Sequence, residues 1–391
     1  MGPPIIQSMM AKATQTRPTL VSIFSGGGGL DLGLEAAGFE TLFATDIDFH
    51  SCQSLKLNKE KSKSLGKPFL QSAQIEEVDI LRLTGDEILK KIGLKKGELD
   101  LLAGGPPCQA FSVFGKRLGR EDSRGQLVYH YLRLLKEIQP KSSILENVYG
   151  MMTVEGGDIF KELLKSLAKP TRDLNYKISV HRINALSYGV PQHRDRVFII
   201  GSLDGYEVPE IPAIFGLEKD SRLMPSRTVK DAFRNLPKMT SGLLANHVGR
   251  NHSERIIERY ASMSFGERDS HTRINKLDPS RPSFTIIVGS DKGGGKGHIH
   301  PFEPREVTPR ESARVQCFPD WWEFSGTSRH PIRQIGNAVP SLLGFAVGSA
   351  VIKDIFKRKP VEFGLAVELL DQQHLFTETE LTRFQSLFKA S

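Results

Sequence analysis

The stretch TLVSIFSGGGGLDLGLEAAG, residues 19–38, decides the fold of this chain. It begins with six residues that are mostly β-branched, apolar or aromatic, and they predict a buried strand. Four glycines follow at positions 26–29, and the apolar pattern after them is that of a helix. A strand that runs through a glycine turn into a helix directs backbone N–H groups and a helix N-terminus at a ligand. The stretch therefore predicts the first βα unit of a ligand-binding α/β fold.

Further strand-like runs alternate with helical segments up to residue 201. The strand-like runs are ETLFATDID, ELDLLAGG, SSILENV and RVFIIGS, and LVYHYLRLLKEI between two of them has a helical pattern. Alternating strands and helices are typical of βαβ units, so we expect a Rossmann-like, doubly wound and mostly parallel sheet. After Gly201, prolines, scattered charges and the run GSDKGGGKGHIHP indicate a second, smaller, loop-rich domain.

Composition and charge narrow the class of protein. Hydrophobic residues make up 39% and charged residues 25% of the chain, values typical of a globular protein. We expect neither an apolar run long enough to cross a bilayer nor a secretory signal, which predicts a cytoplasmic protein with no membrane partner. Three cysteines at wide spacings fit neither a disulfide framework nor a thiolate metal site. The net charge of +8 favours a polyanionic partner but does not by itself establish one.

Acidic residues end two further strands on the rim that carries the glycine turn. Asp46 follows Gly26 by about twenty residues, where a carboxylate can accept hydrogen bonds from a ribose. The run EVDILRL places Asp79 and Ile80 at another strand end on the same rim. Asp31 occupies the place of the third glycine of the dinucleotide pattern, which disfavours a nicotinamide cofactor. The rim therefore predicts an adenosine-type cofactor, and a glycine turn without a ligand is the alternative.

The segment LDLLAGGPPCQAFSVFG, residues 99–115, predicts a nucleophile at the same edge. Cys108 follows a buried strand, and Pro106 and Pro107 stiffen the approach because their φ angles are fixed. A thiolate held at one place is a strong nucleophile when neighbouring groups lower its pKa. Cys52 and Cys317 lack such a loop and are expected to be inert core thiols.

An acid and two guanidinium groups are predicted to join this thiol. The run ILENV places Glu146 and Asn147 at a strand end, where a carboxyl group could give a proton to a ring nitrogen. In GVPQHRDRVFII, Arg194 and Arg196 precede another strand and, with a period of two, point the same way. A helix cap for the acid and surface ion pairs for the arginines are the alternatives.

Taken together, these motifs resemble those of the cytosine-5 DNA methyltransferases. FSGGGGLDLG is similar to that family's cofactor turn, GGPPCQAFS to its nucleophile loop, ENV to its acid motif and QHRDR to its Gln-x-Arg-x-Arg motif. RESARVQCFP and QIGNAVP resemble its two late motifs. Six motifs in family order, between residues 24 and 351, argue against chance. The resemblance implies the fold of class I methyltransferases that depend on S-adenosylmethionine.

The resemblance implies a role for each matched residue. Cys108 would be the nucleophile, Glu146 the group at cytosine N3, and Arg196 a contact to the base that Arg194 supports. S-Adenosylmethionine, without a metal, would be the cofactor. Its site would comprise Phe24, Gly26, Gly28, Leu30, Asp46, Ile47, Asp79, Ile80, Gly104, Pro106, Asn337 and Val339.

Other residues are predicted to hold DNA, because a cytosine must leave the duplex before these groups can reach it. The basic stretch FGKRLGREDSRG could close over phosphate and base, and a solvated loop is the alternative. In the smaller domain, lysines and arginines could grip phosphates and a few could read bases. The predicted contacts are Gln109, Ser112, Lys116, Arg117, Arg120, Arg124, Gln192, Arg273, Lys276 and Lys292.

The resemblance also divides the chain into segments. We expect the terminal segments to lie outside the catalytic core, and residues 204–304 carry too little family pattern to transfer a base preference. The predicted segments are a flexible tail (1–18), the first part of the catalytic domain (19–203), a target-recognition domain (204–304), a connecting hinge (305–330), a returning catalytic segment (331–356) and a C-terminal extension (357–391).

The predicted protein is a DNA (cytosine-5)-methyltransferase of a restriction-modification or defence system. It would act as a monomer on duplex DNA, with a cognate restriction endonuclease or defence-system proteins as partners. Two alternatives stay open at this point. One is an RNA cytosine-5 methyltransferase acting on tRNA; the other is a non-catalytic DNA-binding regulator on the same fold, which fits poorly because Cys108, Glu146 and Arg196 are all present.

Overall fold

The computed structural model describes residues 16–107, 126–217, 222–286, 297–327 and 329–387. Within these residues the largest sheet has seven strands in the order β3-β2-β1-β4-β5-β7-β6. The strands are β1 (Thr19–Ile23), β2 (Glu40–Asp46), β3 (Gln74–Glu77), β4 (Leu101–Gly104), β5 (Ser142–Val148), β6 (Lys177–Asn184) and β7 (Asp195–Ser202). β7 is antiparallel to β5 and β6, and the other neighbours are parallel. The predicted α/β class with a mostly parallel sheet is confirmed.

Helices connect these strands and continue beyond them. Up to β7 they are α1 (Gly29–Ala37), α2 (Phe49–Ser64), α3 (Gly85–Ile92), α4 (Gln126–Ile138), a 3₁₀ helix (Tyr149–Gly157), α5 (Asp158–Ala168) and a 3₁₀ turn (Ala185–Tyr188). The elements after β7 are β8 (Phe215–Gly216), β9 (Met224–Pro225), α6 (Val229–Ala232), a 3₁₀ turn (Met239–Ser241), α7 (Glu254–Ser262), α8 (Pro309–Val315), α9 (Arg329–Asn337), α10 (Ser341–Asp354), α11 (Phe363–Leu369), a 3₁₀ turn (Gln373–Leu375) and α12 (Glu378–Leu387).

The buried side chains of the central strands divide between two hydrophobic clusters. In β1, Leu20 belongs to the first cluster, whereas Val21 and Ile23 belong to the second. In β7, Phe198 belongs to the first cluster and Val197 to the second. Successive side chains of a strand point to opposite faces, so a strand covered on both faces is apolar throughout. This is why runs such as TLVSIF and RVFIIGS show no alternation with polar residues.

The returning helix α10 packs against α1 at close range. A Cβ atom at Gly33 would overlap the carbonyl oxygen of Ser341 and lie 2.6 Å from the carbonyl carbon of Gly344. At Gly348 a Cβ atom would lie 2.8 Å from the Cβ of Ala37. Only residues without a side chain permit this approach, so α10 completes the same hydrophobic layer as α1.

Gly33→Ala is expected to destabilise the protein by about 1–3 kcal/mol, because the added methyl group overpacks the contact between α1 and α10. The apparent Tm, followed by circular dichroism at 222 nm, should fall by a few degrees. Gly150→Ala is the matched control, since no atom lies within 4 Å of a Cβ there. An unchanged Tm in Gly33→Ala would show that the two helices are not held this closely.

The C-terminal extension contributes to the core, which corrects the expectation that the terminal segments lie outside it, and the predicted hinge contributes to the core as well. Every residue of α8 is buried, and Trp322 lies in the first cluster. Phe363 and Phe376 of the extension belong to that cluster as well. The helices α8 and α11 have seven residues each, which is too short to show a recognisable amphipathic period.

The packing places the start of the smaller domain later than the predicted residue 204. Several apolar side chains after β7 still pack in the first cluster, namely those of Val208, Ile211, Phe215, Met224 and Ala232. The smaller domain has separate clusters, which contain Val229, Tyr260, Met263, Ile274, Leu277, Ile299 and Val307. The change in composition after Gly201 therefore marks the end of the sheet rather than the end of the core.

Among the described residues, Arg329–Asp354 is long and apolar enough to cross a membrane by length and composition alone. A buried core helix meets the same criterion. The stretch comprises α9 and α10, and 78% of the apolar window is buried inside the protein. Its apolar character is explained by packing against α1.

Candidate active site

The glycine turn after β1 contains three left-handed residues within five positions. Phe24, Gly26 and Gly28 have φ angles of 57°, 54° and 80°. Such angles are uncommon for a residue like Phe24 and mark a constrained backbone. No atom lies within 4 Å of the place where a Cβ of Gly26 would stand, so the turn is open on that side. A ligand can therefore approach the backbone there.

Trp322 closes the other side of this turn, and sequence reasoning missed it. Its indole Nε1 donates to the carbonyl oxygen of Gly27 at 3.2 Å. A Cβ at Gly28 would lie 2.8 Å from the indole ring and 2.7 Å from Leu55. The glycine at position 28 is thus required by packing as well as by its φ angle. The sequence signal that could have pointed to Trp322 is the rarity of tryptophan, since the chain contains two.

Asp46 ends β2 beside the turn, as predicted. One carboxylate oxygen accepts the N–H of Gly26 and the other accepts the N–H of Asp48, both at 2.9 Å. Burial raises the pKa of Asp46, and these two hydrogen bonds oppose the shift. Ile47 is 67% exposed, an unusual exposure for a large apolar residue at the edge of a buried sheet. A carboxylate with free lone pairs next to an exposed apolar side chain suits a ribose and a purine.

The other predicted cofactor residues lie around the same edge. Leu30 lies in the first turn of α1, Asp79 and Ile80 follow β3, Asn337 ends α9, and Val339 lies between α9 and α10. The carbonyl oxygen of Val339 fills the space that a side chain at Gly29 would need. The residues present therefore fit an adenosine cofactor between the glycine turn, β2 and the returning segment. The glycine at position 104 is explained by packing rather than by a cofactor, because a Cβ there would lie 2.8 Å from Ile23 Cγ1.

Asp46→Asn is expected to raise the Kd for S-adenosylmethionine by about 10- to 100-fold, because a hydrogen bond to a charged group contributes about 1.5–3 kcal/mol. The amide NH₂ of the asparagine would also face a backbone N–H group that donates a hydrogen bond to the carboxylate in the wild type. Isothermal titration calorimetry measures this Kd without turnover. Glu60→Gln removes one charge from an exposed position of α2 and should leave the Kd unchanged. Equal affinities of wild type and Asp46→Asn would exclude Asp46 from the cofactor site.

Glu146 and Arg196 form an ion pair on neighbouring strands. Arg196 Nε lies 2.8 Å from Glu146 Oε1, and each side chain is 10% exposed. The register of β5 and β7 pairs Val148 with Arg196, so the ion pair is diagonal across the ladder. Burial raises the pKa of Glu146, and the charges of Arg196 and Arg194 only partly offset this. A carboxyl group in this setting is suited to hold a proton and to transfer it.

Arg194 links this ion pair to the returning segment. It is almost fully buried and donates to the carbonyl oxygens of Gly336 and Ala338 at 2.7 and 2.9 Å. The guanidinium of Arg194 therefore joins the Gln-x-Arg-x-Arg motif to the last motif, and its supporting role at the base stays a prediction. Arg194 thus connects the returning segment, which borders the predicted cofactor site, to the start of the strand that carries Arg196.

The strand that carries Glu146 also holds the loop that leads to Cys108. A Cβ at Gly105 would lie 2.6 Å from Glu146 Oε2, so this glycine lets the loop pass directly beside the acid. Asn147 Nδ2 donates to the carbonyl oxygen of Pro106 at 2.7 Å. Cys108 itself lies outside the described residues, and its role stays a prediction. The described part of the loop passes Glu146 at Gly105, three residues before that cysteine.

The structure argues against two of the predicted DNA contacts. Lys276 is buried and its ammonium group donates to the carbonyl oxygens of Tyr260 and Met263 at the end of α7, at 3.1 and 2.9 Å. Gln192 is fully buried, and its side-chain oxygen accepts the N–H of Ile286 at 3.3 Å. The ammonium group of Lys276 and the side-chain oxygen of Gln192 are thus engaged inside the protein.

The remaining predicted contacts are either exposed or outside the described residues. Arg273 is exposed on a left-handed turn, where a DNA contact stays a prediction. The other predicted residues lie outside the described part of the chain. They are Gln109, Ser112, Lys116, Arg117, Arg120, Arg124 and Lys292.

Solved structures with similar folds support the architecture. A crystal structure of an E. coli prophage protein, named as a DNA modification methyltransferase, superposes with a TM-score of 0.68 at 28% identity and covers 87% of this chain and 100% of that chain. The S. pombe Dnmt2 methyltransferase has a TM-score of 0.60 at 18% identity, with 86% and 98% of the two chains covered. This second likeness bears on the fold alone.

Relatives of known class agree in sequence. The chain is 32% identical over 397 residues to the Type II methyltransferase M.XorII of Xanthomonas oryzae pv. oryzae, covering 89% of this chain and 88% of that protein. It is 35% identical to the Type II methyltransferase M.PspPI of Psychrobacter sp., covering 87% and 82%. Residues 19–353 match the family model described as C-5 cytosine-specific DNA methylase. The chain therefore belongs to the family of C-5 cytosine-specific DNA methylases.

Proposed function

We propose that this protein methylates C5 of a flipped-out cytosine in a specific duplex DNA sequence, through a covalent bond between Cys108 Sγ and cytosine C6. The observation that carries the proposal is the buried ion pair of Glu146 and Arg196, which lies beside the loop leading to Cys108. A nucleophile, an acid and a guanidinium group at one edge suit attack on a pyrimidine ring.

The residues of the chain overcome the low nucleophilicity of cytosine C5. Attack of the Cys108 thiolate on C6 breaks the C5–C6 double bond and makes C5 electron-rich. Glu146 transfers its proton to N3, which neutralises the negative charge that develops on the ring. Arg196 stabilises the same charge from the O2 side and holds Glu146 in place.

S-Adenosylmethionine is the methyl donor of this family, and when bound it supplies an electrophilic methyl group. The glycine turn, Asp46 and Ile47 would hold its adenosine part, and Asn337 and Val339 would close the site. Transfer of the methyl group to C5 would release neutral S-adenosylhomocysteine. A base such as water would then take the C5 proton, and the C–H electron pair would restore the C5–C6 double bond and expel the thiolate of Cys108. The expelled thiolate is then ready for another cytosine.

We propose the biological setting from the curated relatives, which are named Type II methyltransferases. In that setting the enzyme modifies host DNA and so protects it from a cognate restriction endonuclease. It would act in the cytoplasm as a monomer on duplex DNA, and the net charge of +8 favours that substrate.

Methyl transfer to defined nucleic acids tests the proposal. Purified protein with radiolabelled S-adenosylmethionine should label bacterial duplex DNA and leave tRNA unlabelled. Bisulfite sequencing of DNA from cells that express the protein should then show 5-methylcytosine in one recurrent sequence context. Label on tRNA but not on DNA would replace this proposal by the RNA reading, and label on neither would refute it.

A further inference from the structure

The C-terminal extension, residues 357–391, lies beyond the family match, which ends at residue 353. Its described part nevertheless packs into the first hydrophobic cluster. The ring centroids of Phe363 and Phe376 lie 6.1 and 5.9 Å from the ring centroid of Phe215. The ring of Phe363 also packs against that of Phe345 of α10, with 6.0 Å between the two centroids. The extension thus joins the returning helix to the segment that leads into the smaller domain.

Arg227 is the polar centre of this joint. Its side chain is 7% exposed and lies 5.3 Å from the ring centre of Phe215 and 5.4 Å from that of Phe376. Its terminal nitrogens donate to both oxygens of Glu380, at 3.0 and 3.1 Å, and to the carbonyl oxygen of Leu375 at 3.2 Å. A bidentate pair of this kind fixes orientation as well as distance.

Glu380 is itself held in place by the first turn of α12. The N–H of Thr377 donates to Glu380 Oε2 at 2.8 Å, and the N–H of Glu380 donates back to Thr377 Oγ1 at 3.2 Å. Burial raises the pKa of Glu380, but the hydrogen bonds from Thr377 and Arg227 lower it by more. The carboxylate is therefore charged at neutral pH, and it is rigid enough to orient its partner.

Arg227 directly precedes the N-cap of α6, the helix through which the chain enters the smaller domain. Thr228 caps α6 and begins a capping box. Val229, the next residue, packs with Leu277 and Val307 in a cluster of that domain. A displacement of Arg227 would therefore be passed to α6 and to the residues packed on it.

We propose that the C-terminal extension sets the orientation of the smaller domain against the catalytic edge, with Arg227 and Glu380 as positioning residues for DNA. The inference rests on the proposed function, because it takes duplex DNA as the substrate. Neither residue belongs to the glycine turn, to Asp46 or to the pair of Glu146 and Arg196. Their removal should therefore act on DNA and not on S-adenosylmethionine.

Arg227→Gln and Glu380→Gln are each expected to raise the KM for duplex DNA by about tenfold, since small misplacements of a substrate-positioning element have effects of this order or larger. The Kd for S-adenosylmethionine should stay within about twofold of wild type. The double variant should be no worse than the more affected single variant, because the two residues act as one pair. Arg227→Lys keeps the charge but not the bidentate geometry. Its KM for duplex DNA should therefore lie between those of wild type and Arg227→Gln.

Glu362→Gln is the matched control, because it removes an exposed ion pair with Lys359 within the same extension. Kinetics are measured well below the Tm of each variant. An unchanged KM for DNA, or parallel shifts for DNA and cofactor, would overturn the inference even if the Tm falls. A wild-type protein that methylates no DNA refutes the proposed function instead, and fluorescence anisotropy with labelled duplex DNA then reports whether Arg227→Gln weakens DNA binding.

Discussion

Glu146→Gln is expected to lower kcat for DNA methylation by about 10²- to 10⁴-fold, the usual contribution of a positioned acid. Glutamine has the same shape and can still accept the hydrogen bond that Arg196 Nε donates to Glu146 Oε1 at 2.8 Å. It has no proton to transfer to cytosine N3, so the negative charge on the ring is left uncompensated. Methyl transfer to duplex DNA under saturating cofactor measures the loss.

The control for this variant is Asp158→Asn, which removes the acidic partner of an exposed ion pair with Lys161 on α5, outside the site. Its kcat should stay within about twofold of wild type, as expected of an exposed ion pair. A Glu146→Gln enzyme as fast as this control would show that no proton passes through Glu146.

The pH dependence of the reaction carries a second signature of Glu146. Burial raises the pKa of this carboxyl group, so its protonated form persists to higher pH than in an exposed glutamate. The rate that depends on this proton is present below the folded pKa and declines as pH rises through it. Glu146→Gln should lack this declining limb while keeping the cofactor affinity of wild type.

Cys108→Ser is expected to abolish detectable methylation, with a loss of at least about 10⁴-fold in kcat, because a serine hydroxyl is not ionised at neutral pH whereas a thiol can be. DNA and cofactor binding should be retained, since the change replaces only sulfur by oxygen. Filter binding of radiolabelled methyl groups on duplex DNA measures the activity, and calorimetry checks the cofactor.

Cys52→Ser provides the matched change of thiol to hydroxyl. Cys52 Sγ lies 3.4 Å from the carbonyl oxygen of Asp46 and 3.5 Å from that of Glu76, and a hydroxyl can donate to the same oxygens. This variant should methylate at nearly the wild-type rate. Retained activity in Cys108→Ser would remove the covalent step from the proposed function.

The parts of the fold that depend on local pattern could be predicted from the sequence. The strand, glycine turn and helix at residues 19–38 are encoded by neighbouring residues, and the structure contains all three. The meeting of Glu146 with Arg196 was predictable because both lie at strand ends on one edge of the sheet. The antiparallel direction of β7 was not predicted, since a buried strand is apolar in either direction.

Contacts between residues far apart in sequence could not be predicted. Trp322 lies beneath a turn formed almost three hundred residues earlier, and nothing in the local sequence of either segment indicates this contact. Lysine is normally exposed, but Lys276 is buried because the carbonyl groups at the end of α7 accept hydrogen bonds from its ammonium group. The pair of Arg227 and Glu380 depends on the path of the C-terminal extension, which only the tertiary structure reveals.

Trapping of the protein on a duplex that carries 5-fluorocytosine at the methylated position tests the central claim most directly. Fluorine at C5 cannot be removed as a proton, so an adduct at C6 is not released once the methyl group has been transferred. With S-adenosylmethionine present, we predict a complex that survives denaturing electrophoresis, with the DNA attached to the peptide containing Cys108. Failure to form that complex on a duplex that binds and whose cytosine counterpart is methylated, or attachment through another residue, would contradict the account.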